Sequence, residues 1–284
     1  MGISEPEGGV IVFHTLAYTL LTGGAVTDAD MAAATDTEFT QAQGHYQFTE
    51  QYSLLAAGVF APNASRANIQ SAKLLQVTKQ NIWPINKSAT TPSNPQLDWW
   101  FLNPLPVPQV EQMKVLATDS ANEQFTVFLW IAPTGNWSQN QPAGGVAQYP
   151  GLYEARLTFT TPSLTANTWS GLGQVSFEQL PRGGVYAIVG SQFQGAGILA
   201  ARFVFPRAPT LGNRKFRPGT LVSQNIGDIP LSLAPYNQFV WGEYGRFSTF
   251  ELPQIEWWGT AAGAVAVEGR IWLVYLSEQM EVQY

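Results

Sequence analysis

The residue types that most often carry catalysis are scarce in this sequence. It contains two histidines, His14 and His45, and no cysteine. Neither histidine belongs to an HExxH zinc motif, and there is no G-x-S-x-G nucleophile elbow. A phosphate-binding P-loop and a G-x-G-x-x-G turn after a strand are also missing. The lack of cysteine excludes disulfides, cysteine–zinc sites and thiol catalysis.

Carboxylates are the remaining candidates for acid–base chemistry, and two glutamates stand out by their context. Glu111 ends the sequence Pro-Gln-Val-Glu, and Glu256 ends the closely similar Pro-Gln-Ile-Glu. A glycosidase needs two carboxyl groups that converge on one cleft, whereas these two occupy equivalent positions of a repeat. Asp28, Asp30 and Asp36 lack the glycine and terminal glutamate of a calcium-binding loop. We therefore expect no enzyme activity, no cofactor and no metal site.

A cluster of basic residues is the strongest local charge feature. Five of the fourteen lysines and arginines fall close together in the second half of the chain: Arg202, Arg207, Arg214, Lys215 and Arg217. Such a cluster could face nucleic acid or an anionic membrane surface in the interior of an assembly. It could instead be a solvated loop whose arginines pair with acidic residues of neighbouring subunits, which is the interpretation that we favour. The net charge of −6 argues against a surface devoted to nucleic acid.

The overall composition is poor in charge and rich in aromatic rings. Asp, Glu, Lys and Arg make up 12% of the residues, about half of the ~25% usual in soluble domains. The centres of protein–protein contacts share this composition, so it favours a surface that is covered by neighbours. A neutral β surface rich in Thr, Gln and Asn is the alternative. Two tryptophan pairs, Trp99-Trp100 and Trp257-Trp258, could stack on sugars or anchor interfaces, although buried packing is favoured.

Strand patterns dominate the elements that must position these residues. Phe125–Ile131 is β-branched and aromatic on both faces, and Glu154–Thr160 alternates polar and apolar residues. Nineteen prolines and twenty-six glycines separate such runs at the spacing of short strands. This rhythm predicts an all-β sandwich or barrel. The sequence predicts one helix, over Asp28–Gln41, where Thr27 or Asp28 would cap an alanine-rich run.

The N-terminal region has the character of a strand or of an arm docked on the protein. Gly8–Val26 carries no formal charge and is long enough to span a bilayer. However, its most apolar part is the β-type run Val10–Phe13, and His14 follows directly. The first basic residue is Arg66, so a signal peptide is not predicted. We expect a buried strand or a short N-terminal arm.

An internal repeat indicates that the strands form two similar domains. Pro108–Glu111 recurs as Pro253–Glu256, 145 residues further along the chain. The same offset, held without gaps, places the apolar run Val127–Ile131 on Trp272–Leu276. Both segments read as strongly hydrophobic strands, so the match extends beyond the four shared residues.

A second, looser match supports the duplication. Tyr52–Ala56 resembles Tyr186–Gly190 at an offset of 134 residues, and the change in offset indicates loops of unequal length. The polar, Pro- and Gly-rich stretch Asn136–Gly145 falls where a linker between two repeats should lie. The sequence therefore predicts an N-terminal arm and first domain over residues 1–140 and a second domain over residues 141–284.

Taken together, these features resemble a known family. The chain looks like the double jelly-roll major capsid proteins of tailless icosahedral viruses, especially those of bacterial viruses. The resemblance covers most of the chain and rests on architecture: the repeated Pro108–Glu111 and Pro253–Glu256 segments, the strands after them, and the Asn136–Gly145 link.

The resemblance implies two tandem jelly rolls, a pseudo-hexagonal homotrimer and an icosahedral shell, which places the protein in the virion. Its partners would be copies of itself, with penton or minor capsid proteins, and the N-terminal arm would contact an internal membrane or the genome. No small-molecule substrate is implied. Two other functions stay open: a carbohydrate- or receptor-binding β-sandwich of a spike or adhesin, and, behind it, a glycoside hydrolase.

Overall fold

The computed structural model describes residues 13–60, 66–70, 82–84, 96–99, 105–107, 112–119, 122–133, 152–177, 180, 183–206, 210–211, 214–222 and 244–277. In these ranges the chain is all-β. The strands before residue 140 are β1 (His14–Leu21), β2 (Val26–Asp30), β3 (Ala32–Ala33), β4 (Gln41–Ala42), β5 (His45–Tyr46), β6 (Tyr52–Phe60), β7 (Arg66–Gln70), β8 (Ile82–Pro84), β9 (Gln96–Trp99), β10 (Leu105–Val107), β11 (Lys114–Asp119) and β12 (Gln124–Pro133). Those after it are β13 (Leu152–Thr160), β14 (Gly173–Gln174), β15 (Val185–Gly195), β16 (Ile198–Val204), β17 (Thr210–Leu211), β18 (Arg214–Lys215), β19 (Gly219–Leu221), β20 (Gly245–Ser248), β21 (Gln254–Gly259) and β22 (Ala266–Ser277).

Four larger sheets contain most of these strands, and each draws its strands from one half of the chain. Sheet 1a has the order β10-β6-β12-β1-β3, with β9 also paired to β6, and sheet 1b has the order β2-β11-β7-β8. In the second half, sheet 2a has the order β13-β22-β15-β20 and sheet 2b the order β14-β21-β16-β19. Two short hairpins, β4-β5 and β17-β18, lie outside them.

The strand order identifies both halves as jelly rolls. In each half the first strand pairs with the last, and the chain passes repeatedly between two sheets, with β7 and β8, and likewise β16 and β19, following each other in one sheet. This alternation of two Greek keys is the jelly-roll arrangement, so the predicted all-β fold of two jelly rolls is confirmed. The predicted boundary after residue 140 lies outside the described residues and stays a prediction.

A shared β-bulge shows how the two jelly rolls correspond. In β6 the pairing with β12 skips Leu55, and in β15 the pairing with β22 skips Val189. Leu55 and Val189 occupy the same place in the matched segments Tyr52–Ala56 and Tyr186–Gly190. The match at an offset of 134 residues is therefore confirmed, because a bulge changes strand register and recurs only where the backbone is equivalent.

The gapless match of the last strands is off by three residues. The bulge aligns Trp130 with Trp272, whereas the offset of 145 placed Val127–Ile131 on Trp272–Leu276. The strands are the correct pair, but they correspond at an offset of 142 residues. β21 begins at Gln254, inside the second copy of the four-residue match, whereas β11 begins at Lys114, after the first copy has ended, so the match does not join equivalent strand positions. Pro108–Glu111, where this match began, lies outside the described residues.

The predicted helix over Asp28–Gln41 is wrong, because the segment begins as two strands. The Met31 N–H donates to the Val115 carbonyl across the sheet rather than within a helical turn. Asp28 has φ +48°, in the left-handed region, so it cannot start a right-handed helix. No helix that could span a bilayer occurs among the described residues. The predicted N-terminal arm falls largely in residues 1–12, outside them.

The two jelly rolls pack on each other through sheet 1a of the first and sheet 2b of the second. Alternate residues of β12 serve two cores: Val127 and Leu129 face the first jelly roll, while Phe128 and Trp130 pack against the second. A strand buried on both faces needs apolar residues at every position. This accounts for the two-faced apolar pattern of Phe125–Ile131.

Glycines allow the two sheets to approach closely. A Cβ at Gly219 would lie 2.6 Å from Thr15 Oγ1 and 2.7 Å from the Ala201 carbonyl oxygen. A Cβ at Gly58 would lie 2.9 Å from Leu221 Cδ1. Both contacts are shorter than carbon side chains tolerate, so the contact between the sheets is specified by backbone approach as well as by apolar side chains.

A buried ionic junction as the candidate functional site

Six ionisable residues meet where the two jelly rolls pack. Three come from the first jelly roll, at the start of β1 and in the loop between β3 and β4, and three come from β16, β21 and the approach to β19. Their side chains are between 0% and 13% exposed. We call this group the ionic junction: His14, Asp36, Glu38, Arg202, Arg217 and Glu256.

Arg202 is the centre of the junction. Its Nη1 donates to Asp36 Oδ2 at 2.5 Å and to the Thr15 carbonyl at 3.0 Å, both in the first jelly roll. Its Nε donates to Glu256 Oε2 at 2.6 Å within the second. The guanidinium carbon also lies 4.2 Å from the centre of the Trp169 ring, a cation–π contact. One buried side chain thus connects both halves of the chain.

Arg217 makes the second connection. Its Nη1 donates to Glu256 Oε1 at 2.5 Å, so Glu256 bridges two guanidinium groups. Its Nη2 donates to Glu38 Oε1 at 3.2 Å in the first jelly roll. The other oxygen of Glu38 accepts a bond from the backbone N–H of Lys215 at 2.9 Å.

Asp36 is held in place by its own loop. Its Oδ1 accepts the backbone N–H groups of Glu38 at 2.8 Å and Phe39 at 3.2 Å. Aspartate commonly closes tight turns in this way, because its short side chain reaches the backbone two residues ahead. The turn leaves Oδ2 to face His14 and Arg202.

The hydrogen bonds of His14 define its tautomer. The backbone N–H of Arg217 can only donate, and it lies 3.0 Å from His14 Nδ1, so Nδ1 is the acceptor. Nε2 therefore carries the hydrogen and donates to Asp36 Oδ2 at 3.2 Å. The imidazole is neutral in this arrangement.

Burial and charge act in opposite directions on these groups. Burial lowers the pKa of His14 below 6.5, and Asp36 offsets this only in part. Burial alone would raise the pKa of Asp36, but His14 and the Arg202 guanidinium outweigh it and hold that pKa well below its usual range. Burial also works against the charge of Arg202, but Asp36 and Glu256 raise its pKa.

This arrangement holds the two jelly rolls together through ion pairs and is not a reacting centre. Each carboxylate faces a guanidinium, and the pKa of Asp36 is far from that of a general acid or base at neutral pH. Buried ion pairs add little net stability, because desolvation offsets their attraction, but removal of one partner is costly. The junction is thus a set of mutually dependent charges that connects the two jelly rolls.

The predicted basic cluster is divided by the structure. Arg202 and Arg217 belong to the ionic junction and pair with acidic residues of the same chain. Arg214 and Lys215 form β18, and the Lys215 side chain is exposed. Arg207 lies outside the described residues. An interior or subunit contact of the exposed part stays a prediction.

The other residues considered from the sequence have separate positions. Glu256 joins the ionic junction, whereas Glu111 lies outside the described residues. Trp257 and Trp258 are buried, as favoured. Trp99 lies on β9, and Trp100 lies outside the described residues. Among the described residues, no group of acidic residues and histidines could hold a metal ion.

Sequence reasoning missed three members of the junction. No motif singles out His14, and Asp36 and Glu38 fall within the helix predicted over Asp28–Gln41. The one available signal was the placement of a histidine at the end of an otherwise apolar run. Its partners lie up to 203 residues away in the sequence, so no local pattern could have identified them.

The ionic junction predicts an acid-sensitive stability. His14 and Asp36 both have lowered pKa values in the folded state, so the unfolded chain binds more protons as the pH falls. Stability should therefore fall from neutral pH, first below pH ~6.5 for His14 and then below pH ~4 for Asp36. Urea midpoints measured at pH 7, 5 and 3.5 would check this.

A pair of aspartate variants tests the second part of this prediction. Asp36→Asn should be less stable at pH 7 and should lose less stability than the wild type between pH 5 and pH 3. Asp30→Asn is the matched control, because that carboxylate is 54% exposed beside Lys114. Parallel pH profiles for the wild type and Asp36→Asn would contradict the assignment.

The comparisons with known proteins give a weak structural likeness. No protein-family model matches the chain, and no curated protein sequence matches it. The major capsid protein P2 of bacteriophage PM2 is 10% identical, with 94% of this chain and 99% of that chain covered and a TM-score of 0.21. The PBSX exported protein XepA is 11% identical, with coverages of 95% and 86% and a TM-score of 0.23.

A third solved structure shows likeness at the same level. Discoidin II from Dictyostelium discoideum is 9% identical, with 96% of this chain and 100% of that chain covered and a TM-score of 0.22. Likeness at this level carries no argument about function. The assignment of two jelly rolls therefore rests on the strand order of the chain itself.

Proposed function

We propose that the protein is a major capsid protein, which assembles as a homotrimer and builds an icosahedral virion shell. The observation that carries the proposal is the contact between the two jelly rolls. Sheet 1a of the first packs on sheet 2b of the second, so each jelly roll uses a different sheet. Contacts between unlike faces are heterologous, and heterologous contacts close into rings when the rotation allows.

The two jelly rolls have the same strand order, so the contact can in principle be repeated between copies. Sheet 2a is equivalent to sheet 1a, and sheet 1b is equivalent to sheet 2b. Sheet 2a of one copy would then pack on sheet 1b of the next. Three copies joined in this way present six similar jelly rolls around one ring, which is the pseudo-hexagonal trimer that we propose.

Several of the described side chains on the faces available for this contact are polar. On sheet 2a, Gln192 pairs with Arg270 and Gln194 with Glu268 on the side away from the core. On sheet 1b, Asp28 accepts bonds from Asn68 and Thr118, and Asp30 lies 3.7 Å from Lys114. Polar faces suit a contact that forms between chains that are already folded.

The ionic junction adds to the scarcity of surface charge. Five of the charged residues, two arginines and three acids, are withdrawn into the protein. Because only 12% of the residues are charged, burial of these five leaves few charged residues for the surface. A surface so poor in charge is better suited to an assembly than to a freely soluble monomer.

The first test is the size of the purified protein and of its assemblies. We expect light scattering to give the mass of a trimer, with more than ~1,200 Å² buried in each contact between copies. Negative-stain microscopy should show pseudo-hexagonal particles or shells. A stable monomer at micromolar concentration would contradict the proposal.

Trp272 offers a sharper test of how the copies meet. It is equivalent to Trp130, whose Nε1 donates to the Gly219 carbonyl across the contact within the chain. In the proposed trimer, Trp272 would make the corresponding contact with the next copy. We expect Trp272→Glu to dissociate the trimer and leave a folded monomer, as measured by light scattering and circular dichroism.

A second aromatic residue supplies the control for this variant. Phe250 is 93% exposed at the turn after β20, outside the strands of sheet 2a. Phe250→Glu should therefore leave the trimer intact. Trimers formed by Trp272→Glu would rule out this mode of contact, even if the wild type is trimeric.

The remaining partners follow from the same proposal. Penton or minor capsid proteins would complete the shell, and the N-terminal residues would contact the genome or an internal membrane. Within the basic cluster, Arg207→Glu/Arg214→Glu separates the two roles considered above. Intact trimers with impaired packaging would favour an interior role, dissociation would favour a subunit contact, and unchanged assembly and infectivity would leave a solvated loop.

A further inference from the structure

We propose that His14 is an acid-sensitive latch between the two jelly rolls. When its imidazole takes up a proton, it can no longer accept the backbone hydrogen bond from Arg217, and residues 216–219 separate from β1. This device belongs to the single chain and does not depend on the proposed assembly.

Three hydrogen bonds to backbone groups of this segment hold it against the first jelly roll, in addition to the bond from the Arg217 side chain to Glu38. The Arg217 N–H donates to His14 Nδ1 at 3.0 Å, and the Arg217 carbonyl accepts from the Thr15 N–H at 3.0 Å. The Gly219 carbonyl accepts from Trp130 Nε1 at 2.8 Å. The bond to His14 is the one of the three whose acceptor can be protonated.

Protonation removes the acceptor at the point where it is needed. In an imidazolium both ring nitrogens are donors. A hydrogen on Nδ1 would point at the Arg217 N–H, and neither group could accept the other. Nε2 already donates to Asp36, so exchanging the roles of the two nitrogens does not provide an acceptor for the Arg217 N–H. The rings of Phe39 and Phe216, with centroids 4.7 Å and 6.4 Å from that of His14, restrict its rotation.

The charges around His14 oppose each other. Asp36 attracts a proton to the ring, whereas Arg202 and Arg217 and the burial of the site disfavour it. Glu38 and Glu256 lie behind the two arginines and complete the set of charged groups in the junction. With neutral His14, the junction holds three carboxylates and two guanidinium groups, one positive charge short of balance. A proton therefore improves the charge balance but cannot enter without breaking the contact to Arg217, which couples acidification to opening.

The test follows backbone amides of the intact chain as the pH is lowered. Hydrogen exchange of the Thr15 and Arg217 amides is measured at pH 7.5, 6 and 5 and corrected for the intrinsic pH dependence of exchange. We expect protection of both amides to fall at least ~10-fold in the wild type, because one proton taken up on opening raises the ratio of open to closed chains by up to about tenfold per pH unit. In His14→Asn it should stay constant, because Asn Oδ1 replaces Nδ1 as an acceptor and does not titrate.

Two comparisons between variants can contradict the inference. His45→Asn removes the other histidine, on β5 beside Asp30, and should follow the wild type. The same pH profile in the wild type and His14→Asn would overturn the latch. If His14→Asn does not fold, NMR of the wild type decides: the His14 ring and the two amides should titrate with one midpoint, and different midpoints would overturn the proposal. Since the monomer can be used, failure of assembly leaves this test intact.

Discussion

Replacing Arg202 with methionine is expected to lower the free energy of unfolding by ~3–5 kcal/mol. The substitution keeps much of the side-chain volume but leaves Asp36 without its guanidinium partner and Glu256 with only one of its two. These two side chains are 0% and 7% exposed, so water cannot replace the guanidinium. The Thr15 carbonyl and the Trp169 ring also lose a partner. Urea denaturation at pH 7 would measure the loss.

A second basic residue supplies the matched control. Lys215 lies in the same sequence cluster but has an exposed side chain, so Lys215→Met should change stability by less than ~0.5 kcal/mol. The double variant Asp36→Asn/Arg202→Met should regain part of the loss, because it removes the stranded charge of Asp36 while Glu256 keeps Arg217 as a partner. An equal loss in the single and double variants would show that packing, and not charge, makes Arg202 important.

Trp258→Ala is expected to cost a similar ~3–5 kcal/mol. The ring is fully buried and lies between the two jelly rolls, 5.6 Å from Phe128 of the first and 5.4 Å from Trp169 of the second, both centroid to centroid. Its removal leaves a cavity that sheets fixed by many neighbouring contacts cannot close. Because this cavity lies in the contact, the variant should also make the two jelly rolls unfold less cooperatively.

The measurement for Trp258→Ala is again urea denaturation, monitored by circular dichroism and by fluorescence of the remaining tryptophans. Phe250→Ala is the control, since it removes an aromatic ring that is 93% exposed and should cost less than ~0.5 kcal/mol. A cost below 1 kcal/mol for Trp258→Ala would contradict tight packing between the sandwiches.

Much of the fold could be predicted because local residue patterns specify its strands. Runs such as Phe125–Ile131 specify strands through their residue types, and Pro and Gly mark where strands end. The match of Tyr52–Ala56 with Tyr186–Gly190 supported the duplication, since equivalent backbones retain similar residues. The prediction of a helix over Asp28–Gln41 was wrong because the local pattern there did not decide the structure. Its alanine-rich pattern was weak, and pairing of β2 and β3 with their neighbours overrode it.

The sequence by itself determined that the chain is a duplicated β protein, poor in charge and without the usual catalytic motifs. Only the tertiary structure decided which charges meet. Arg202 lies 166 residues from Asp36 and 188 from His14, and these groups come together because sheet 1a packs on sheet 2b. The attraction between buried charges depends on distance and desolvation, and neither quantity is encoded by the spacing of residues along the chain. An arginine that reads as part of a surface patch therefore becomes the buried connection between two jelly rolls.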